Sequence, residues 1–136
     1  MNALYDYARR SMLSSTFDWP SSAMRMLAFA DTTYVFNEAH EFVGDIGPPA
    51  AESLEMTGKM ISSGGYARGD HVWFSGPPLT TPWQFLVIVD ETGGLTGNGR
   101  KLVAYYDQGV NLPRIINGQD EIVIPDWSTE RGFFRP

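Results

Sequence analysis

Cysteine is absent from this chain, and histidine is nearly so, with only His40 and His71. Without thiols there can be neither disulfides nor thiolate metal sites, and two imidazoles fall short of the nitrogen ligands of a typical zinc centre. A calcium loop needs several Asp or Asn at alternate positions, and "DETGGLTGNG" (90–99) supplies too few. No metal and no cofactor is therefore expected. Basic residues are also scarce: ten Lys and Arg against sixteen Asp and Glu leave a net charge of -6 with no dense basic cluster. A direct grip on nucleic-acid phosphates is not expected from such a surface. No apolar run approaches the roughly 18 residues of a membrane span, so no membrane partner is expected. "MNALYDYARRSMLSS" lacks the apolar core of a signal peptide, which predicts a chain that is cytosolic and soluble when made.

What is present suits a folded domain. A length of 136 residues fits a single domain, and 43% hydrophobic with 13% aromatic residues is ample for a core. Leu4, Tyr7, Ala8 and Met12 recur at helical spacing with Arg9 and Arg10 turned away, which predicts a short helix or ordered arm over 3–13. Extended runs follow: "AMRMLAFA" (23–30), "TYVF" (33–36), "SLEMTGKMIS" (53–62), "HVWF" (71–74), "WQFLVIVD" (83–90), "KLVAYYD" (101–107), "RIIN" (114–117) and "DEIVIPDW" (120–127). The connection at 37–49 has room for a helical turn. In "HVWF", His71 and Trp73 face opposite to Val72 and Phe74. About eight short strands separated by Gly-, Asn- and Pro-rich turns predict an all-β sandwich or barrel. Residues 1–20 form the arm or short helix, and 21–136 the β-domain.

One stretch tempts a nucleotide-binding reading. "FLVIVDETGGLTGNGRK" (85–101) has an apolar strand ending in Asp90 and Glu91, then a Gly-rich loop and two basic residues. A phosphate loop requires G-x-x-x-x-G-K-[ST] leading directly into a helix. Here Arg100 and Lys101 stand where Lys and Ser/Thr belong, and "LVAYYD" is β-forming. The segment therefore predicts a hairpin with Asn98-Gly99 in its tip. Arg68-Gly69-Asp70 reads as a turn before a strand. No G-x-S-x-G occurs and neither His belongs to a recognisable nucleophile turn. Asp90 and Asp107 could meet across a hairpin, but without a third group they read as ordinary acids. No catalytic residue is expected.

The aromatics are more informative. Trp19, Trp73, Trp83, Trp127 and the terminal "GFFRP" exceed what one small core obviously needs, and several stand beside proline or turn residues. Aromatic anchors at loops and termini suit a protein-binding surface. Terminal segments can act as docking clamps. The candidate interface residues are Leu4, Tyr5, Tyr7, Arg9 and Arg10 in the N-terminal arm, then Trp83, Phe133 and Phe134.

"ALYDYARRSML", "AFADTTYVFNEAHEFVGDI", "LEMTGK", "YARGDHVWF", "FLVIVDETG", "KLVAYYD", "NLP", "NGQDEIVI" with Trp127 and "GFF" follow one another across nearly the whole chain. In this order and spacing the chain resembles a family of small bacteriophage proteins encoded among virion structural genes. The resemblance implies a non-enzymatic virion component, a capsid decoration or cement protein with a jelly-roll-like sandwich. It also implies a place on the capsid surface and the major capsid protein as partner. Self-association into a dimer or trimer would match the symmetry axes of a shell. The alternative is a low-copy tail, neck or host-recognition component. For host recognition, Trp83 and the 91–101 loop are the candidates for carbohydrate contact.

Overall fold

The computed structural model describes residues 2–75, 82–107, 120–123 and 133–134. Within them the chain runs through β1 (Ala3–Leu4), α1 (Asp6–Leu13), β2 (Met24–Phe29), β3 (Ala51–Glu52), β4 (Met60–Ile61), β5 (Ala67–Arg68), β6 (Val72–Ser75), β7 (Phe85–Asp90), β8 (Lys101–Tyr106) and β9 (Asp120–Val123). Short 3-10 turns occupy Val43–Asp45 and Gly97–Gly99. Among the described residues the fold is mainly β, with antiparallel pairing throughout and one short helix. A five-stranded sheet in the order β1-β8-β7-β2-β3 carries the core, beside the two-stranded sheets β4-β5 and β6-β9.

The central strands are continuous apolar runs because the large sheet is covered on both faces. All six residues of β7 are buried. Leu86 and Ile88 point to one face, with Met24, Met26, Ala28, Trp19, Val72, Phe74, Trp83 and Phe133. Phe85, Val87 and Val89 point to the other, with Leu27, Phe29, Tyr5, Val43 and the partly buried Tyr34, Phe36 and Ile46. Complete burial of one such aliphatic side chain contributes roughly 1.5–3 kcal/mol.

Strict alternation in β8 would misplace part of this core, and a bulge corrects it. Ile88 pairs with Ala104 while Val89 pairs with Leu102, so Val103 is an extra residue in β8. Val103 and Ala104 therefore share one face, and Leu102 and Tyr105 fall together on the other. The outer edge of β8 is closed by two short segments. Ala3 and Leu4 pair with Tyr105 and Ala104 at one end, and Phe42 bridges Lys101 at the other. Covering an edge in this way removes a template for unwanted strand pairing.

The predicted N-terminal helix is present but begins after β1. Asp6 in its first turn complements the helix dipole. Ala8 and Ser11 are buried, and Met12 packs against the core. Leu4, Ala8 and Trp19 belong to the same cluster as Ile88, so the N-terminal segment shares the core of the β-domain. The chain leaves α1 through Ser15 at φ 61°, a left-handed position that glycine ordinarily takes.

Two predicted strands differ. "TYVF" is irregular, since Tyr34 and Phe36 cover a sheet face with their rings without joining a ladder. In 53–62 only Met60 and Ile61 are in a strand, because Met56 turns inward and bonds through its N–H to the Met24 carbonyl. "RIIN" and Trp127 lie outside the described residues.

Candidate protein-binding surface

The eight residues expected at an interface divide sharply. Leu4, Tyr5, Trp83 and Phe133 are buried in the core. Tyr5 packs on Phe36, and Trp83 on Phe74 at 4.7 Å between ring centroids. Phe134 is half-buried and meets Trp19 edge-on at 5.2 Å. These positions stand beside turns, yet their rings fill the space that a short helix and small strands leave around a large sheet. As exposed anchors, Leu4, Tyr5, Trp83 and Phe133 are therefore corrected to core residues. Trp83 is likewise unavailable for contact with carbohydrate.

Arg9 and Arg10 are exposed but engaged. Arg9 Nη1 pairs with Asp6 at 3.3 Å and Glu38 at 2.9 Å, and Arg10 Nη2 pairs with Glu41 at 3.4 Å. They dock α1 onto the 37–41 segment. Pairs so open to solvent contribute little, about 0–1 kcal/mol. Tyr7 is half-buried and donates its hydroxyl hydrogen to Asp90 Oδ2 at 3.1 Å. Burial first, then the Asp90 charge, raises its pKa.

Seven large apolar side chains reach solvent among the described residues, and four of them lie on the 54–73 stretch, with Leu13, Val35 and Phe42 elsewhere. Leu54 is 57% exposed, Met60 52%, Ile61 58% and Trp73 38%. Leu54 and Trp73 lie opposite one another, because Ser53 bridges Phe74 and the Leu54 N–H bonds to the Trp73 carbonyl at 2.9 Å. Ser53 and Phe74 are buried, so Leu54 and Trp73 share the outward face. The signal for Trp73 was present in the alternation of "HVWF", where Val72 and Phe74 take the inner face. Leu54 was hidden, because in a regular strand over 53–62 it would share a face with Met56, which is buried. Exposed aromatic and branched side chains adjoining one another are the usual material of a protein contact.

The tempting nucleotide motif resolves into a hairpin in which Arg100, the first of its two basic residues, is fully occupied. β7 and β8 pair from Leu86–Tyr106 to Asp90–Lys101. Buried Arg100 lies with Nη1 at 2.9 Å from Glu52 Oε1 and Nη2 at 3.2 Å from Glu52 Oε2. Its Nη1 also reaches Glu91 at 3.3 Å, and its Nε donates to the Gly97 carbonyl at 2.9 Å. Arg25 joins through Glu91 at 3.0 Å and the Ser53 carbonyl at 2.6 Å. This guanidinium network fixes the loop against β2 and β3 and leaves Arg100 no free fork for a phosphate. The loop takes positive φ at Gly93, Gly94 and Gly97. Asn98 and Gly99 belong to the 3-10 turn, so the tip is a long loop rather than a two-residue Asn-Gly turn.

The remaining motifs are also structural. Asp90 closes β7 at the loop end of the hairpin and Asp107 follows β8 at the other. They stand apart by nearly a strand length, roughly 20 Å, and cannot form a carboxylate pair. In Arg68-Gly69-Asp70, Asp70 accepts the Thr57 hydroxyl hydrogen at 3.0 Å. A Cβ on Gly69 would stand 3.2 Å from the Phe133 ring and from the Thr57 carbonyl oxygen. His40 Nδ1 meets the Tyr34 hydroxyl at 3.0 Å, and that hydroxyl meets the buried Tyr5 hydroxyl at 3.1 Å. Burial and the Tyr34 hydrogen bond push the Tyr5 phenol far up. The backbone N–H groups of Phe42 and Glu41 hold the Asp45 carboxyl below its usual range. Among the described residues no three His, Asp or Glu gather as metal ligands, and no helix is long and apolar enough to cross a membrane.

Comparison of the chain with family models, with curated proteins and with solved structures finds no match.

Proposed function

We propose that this protein is a non-enzymatic structural component of a bacteriophage particle, a decoration protein that binds the shell of major capsid subunits. The observation that carries the binding part is the exposed 54–73 stretch, above all the adjoining Leu54 and Trp73. The viral part rests on the end-to-end sequence resemblance. In this reading the β-domain is a jelly-roll-like sandwich, and self-association as a dimer or trimer sets it at symmetry axes of the shell. Burying Trp73 and Leu54 against a shell subunit supplies an aromatic anchor with an aliphatic neighbour. Many copies make a modest affinity per contact sufficient.

The test is the copy number per purified particle, by quantitative mass spectrometry with the major shell protein as internal reference. The reading predicts copies in the hundreds. A handful would reject decoration in favour of the tail, neck or host-recognition reading, and none would reject a place in the particle.

A further inference from the structure

A second surface feature is chemically unlike the 54–73 stretch. An open pocket of about 250 Å³ lies where α1, the 16–22 segment and the β7–β8 hairpin meet. Tyr7, Asp90 and Lys101 line it from one side, Thr16, Phe17, Asp18, Ser21 and Ser22 from another, and Thr92 and Leu95 from the hairpin loop.

The groups in this pocket differ in what they have left to offer. Asp90 is buried and spoken for: Oδ2 accepts from the Tyr7 hydroxyl and Oδ1 from the Thr92 N–H at 2.9 Å. It shapes the pocket through these two bonds, one to each carboxylate oxygen. The Lys101 ammonium sits 4.7 Å from the centre of the Tyr7 ring, and among the described residues it has no carboxylate partner. Its three N–H groups can donate to a ligand. Asp18 is exposed, and its carboxylate has no side-chain partner among the described residues. The pocket thus presents a free donor and a free acceptor, while the Ser22 and Thr16 hydroxyls already donate to the Trp19 and Ser11 carbonyls.

Charge and size narrow the ligand class. Two carboxylates and one ammonium leave the lining with one net negative charge, within a chain of -6. A phosphate or carboxylate ligand is repelled by that balance. A neutral polyol can use the ammonium and the carboxylate together, and the apolar Phe17 and Leu95 can meet its C–H faces. The volume is below the roughly 300–1,000 Å³ of sites for larger ligands, which fits one ring.

We propose that this pocket binds a single neutral sugar ring, held by Lys101 and Asp18 and shaped by Tyr7 and Asp90. This inference stands apart from shell binding, since it concerns the free chain and different residues. Its test is amide NMR on the full-length protein with glucose, galactose and N-acetylglucosamine, each carried to tens of millimolar. N-acetylneuraminic acid, inorganic phosphate and lysine serve as charged counter-probes.

The expected result is a saturable shift of the Thr92, Leu95 and Lys101 amides with at least one neutral sugar, stronger than with any charged probe. Asp18→Asn and Lys101→Met should each weaken it about tenfold with the rest of the spectrum unchanged. Asp18 is exposed, so its variant keeps the test open if Lys101→Met perturbs folding. No saturable shift with any neutral sugar, a preference for a charged probe, or undiminished binding in Asp18→Asn would overturn the proposal.

Discussion

β7 and the 54–73 stretch both carry large apolar residues, yet they use them oppositely. β7 buries all six of its residues between two covered faces. The 54–73 stretch turns Met56, Ala67 and Val72 inward and leaves Leu54, Met60, Ile61 and Trp73 to water. A continuous apolar strand in the middle of a sheet is explained by the fold alone. Outward apolar residues on peripheral strands are not, and they are what a binding surface requires. The contrast makes separable predictions, because core variants should act on stability and surface variants on attachment.

The largest effect belongs to the core. Trp19 is buried, packs against Phe133 and Phe134, and donates Nε1–H to the Arg68 carbonyl at 2.9 Å. Trp19→Ala should cost about 3–5 kcal/mol, read as a lowered midpoint in urea unfolding. A cost as small as that of a surface substitution would mean that the N-terminal segment is not part of the core.

Next is the guanidinium network. Arg100→Met leaves Glu52 and Glu91 without their shared partner in a partly buried site, and should cost about 3 kcal/mol. Glu52 is half exposed and Arg25 still reaches Glu91, which holds the cost at the lower end for broken buried pairs. Hydrogen exchange should show the 91–99 loop loosened before β7. Loop amides that exchange as in the wild type would contradict a positioning role for Arg100.

A smaller effect appears in alkali. Burial first, then the Asp107 charge, pushes the Tyr105 phenol up to about 12 from its ordinary 10.0. Burial also raises the Tyr5 and Tyr106 phenols. With folded values above unfolded ones, the unfolded chain releases these protons first. Their contribution is fully present below pH 10 and is lost as the pH rises toward 12. Thermal midpoints across that range, followed beside tyrosinate absorbance, should fall together as tyrosinate forms. Tyr105→Phe should reduce the slope.

The smallest stability effect is expected where the account places function. The Leu54→Ser, Trp73→Ser pair should change stability by less than about 1 kcal/mol, yet remove most attachment to particles in a co-sedimentation assay. A large loss of stability would reassign the pair to structure.

The sequence made the β7–β8 hairpin legible because two apolar runs flank a Gly-rich turn, and the inner face of β6 because Val72 and Phe74 alternate with His71 and Trp73. It did not reveal the bulge at Val103, since nothing local distinguishes an extra residue within "LVAYY". Nor did it reveal that Arg100 is buried, because its partner Glu52 is 48 residues away. The interface candidates were misjudged for a related reason. A ring beside a turn can fold in or out, and for Tyr5, Trp83 and Phe133 the decision came from distant residues: Phe36 against Tyr5, Phe74 against Trp83, and Trp19 against Phe133. Trp73 could be assigned from alternation alone.

The most direct test of the account is hydroxyl-radical footprinting of Trp73 and Met60, comparing the free chain with intact particles. Strong oxidation of both in the free chain and clear protection of Trp73 in the particle are predicted. Equal oxidation of Trp73 in the two states would contradict the claim that the 54–73 stretch is the contact surface.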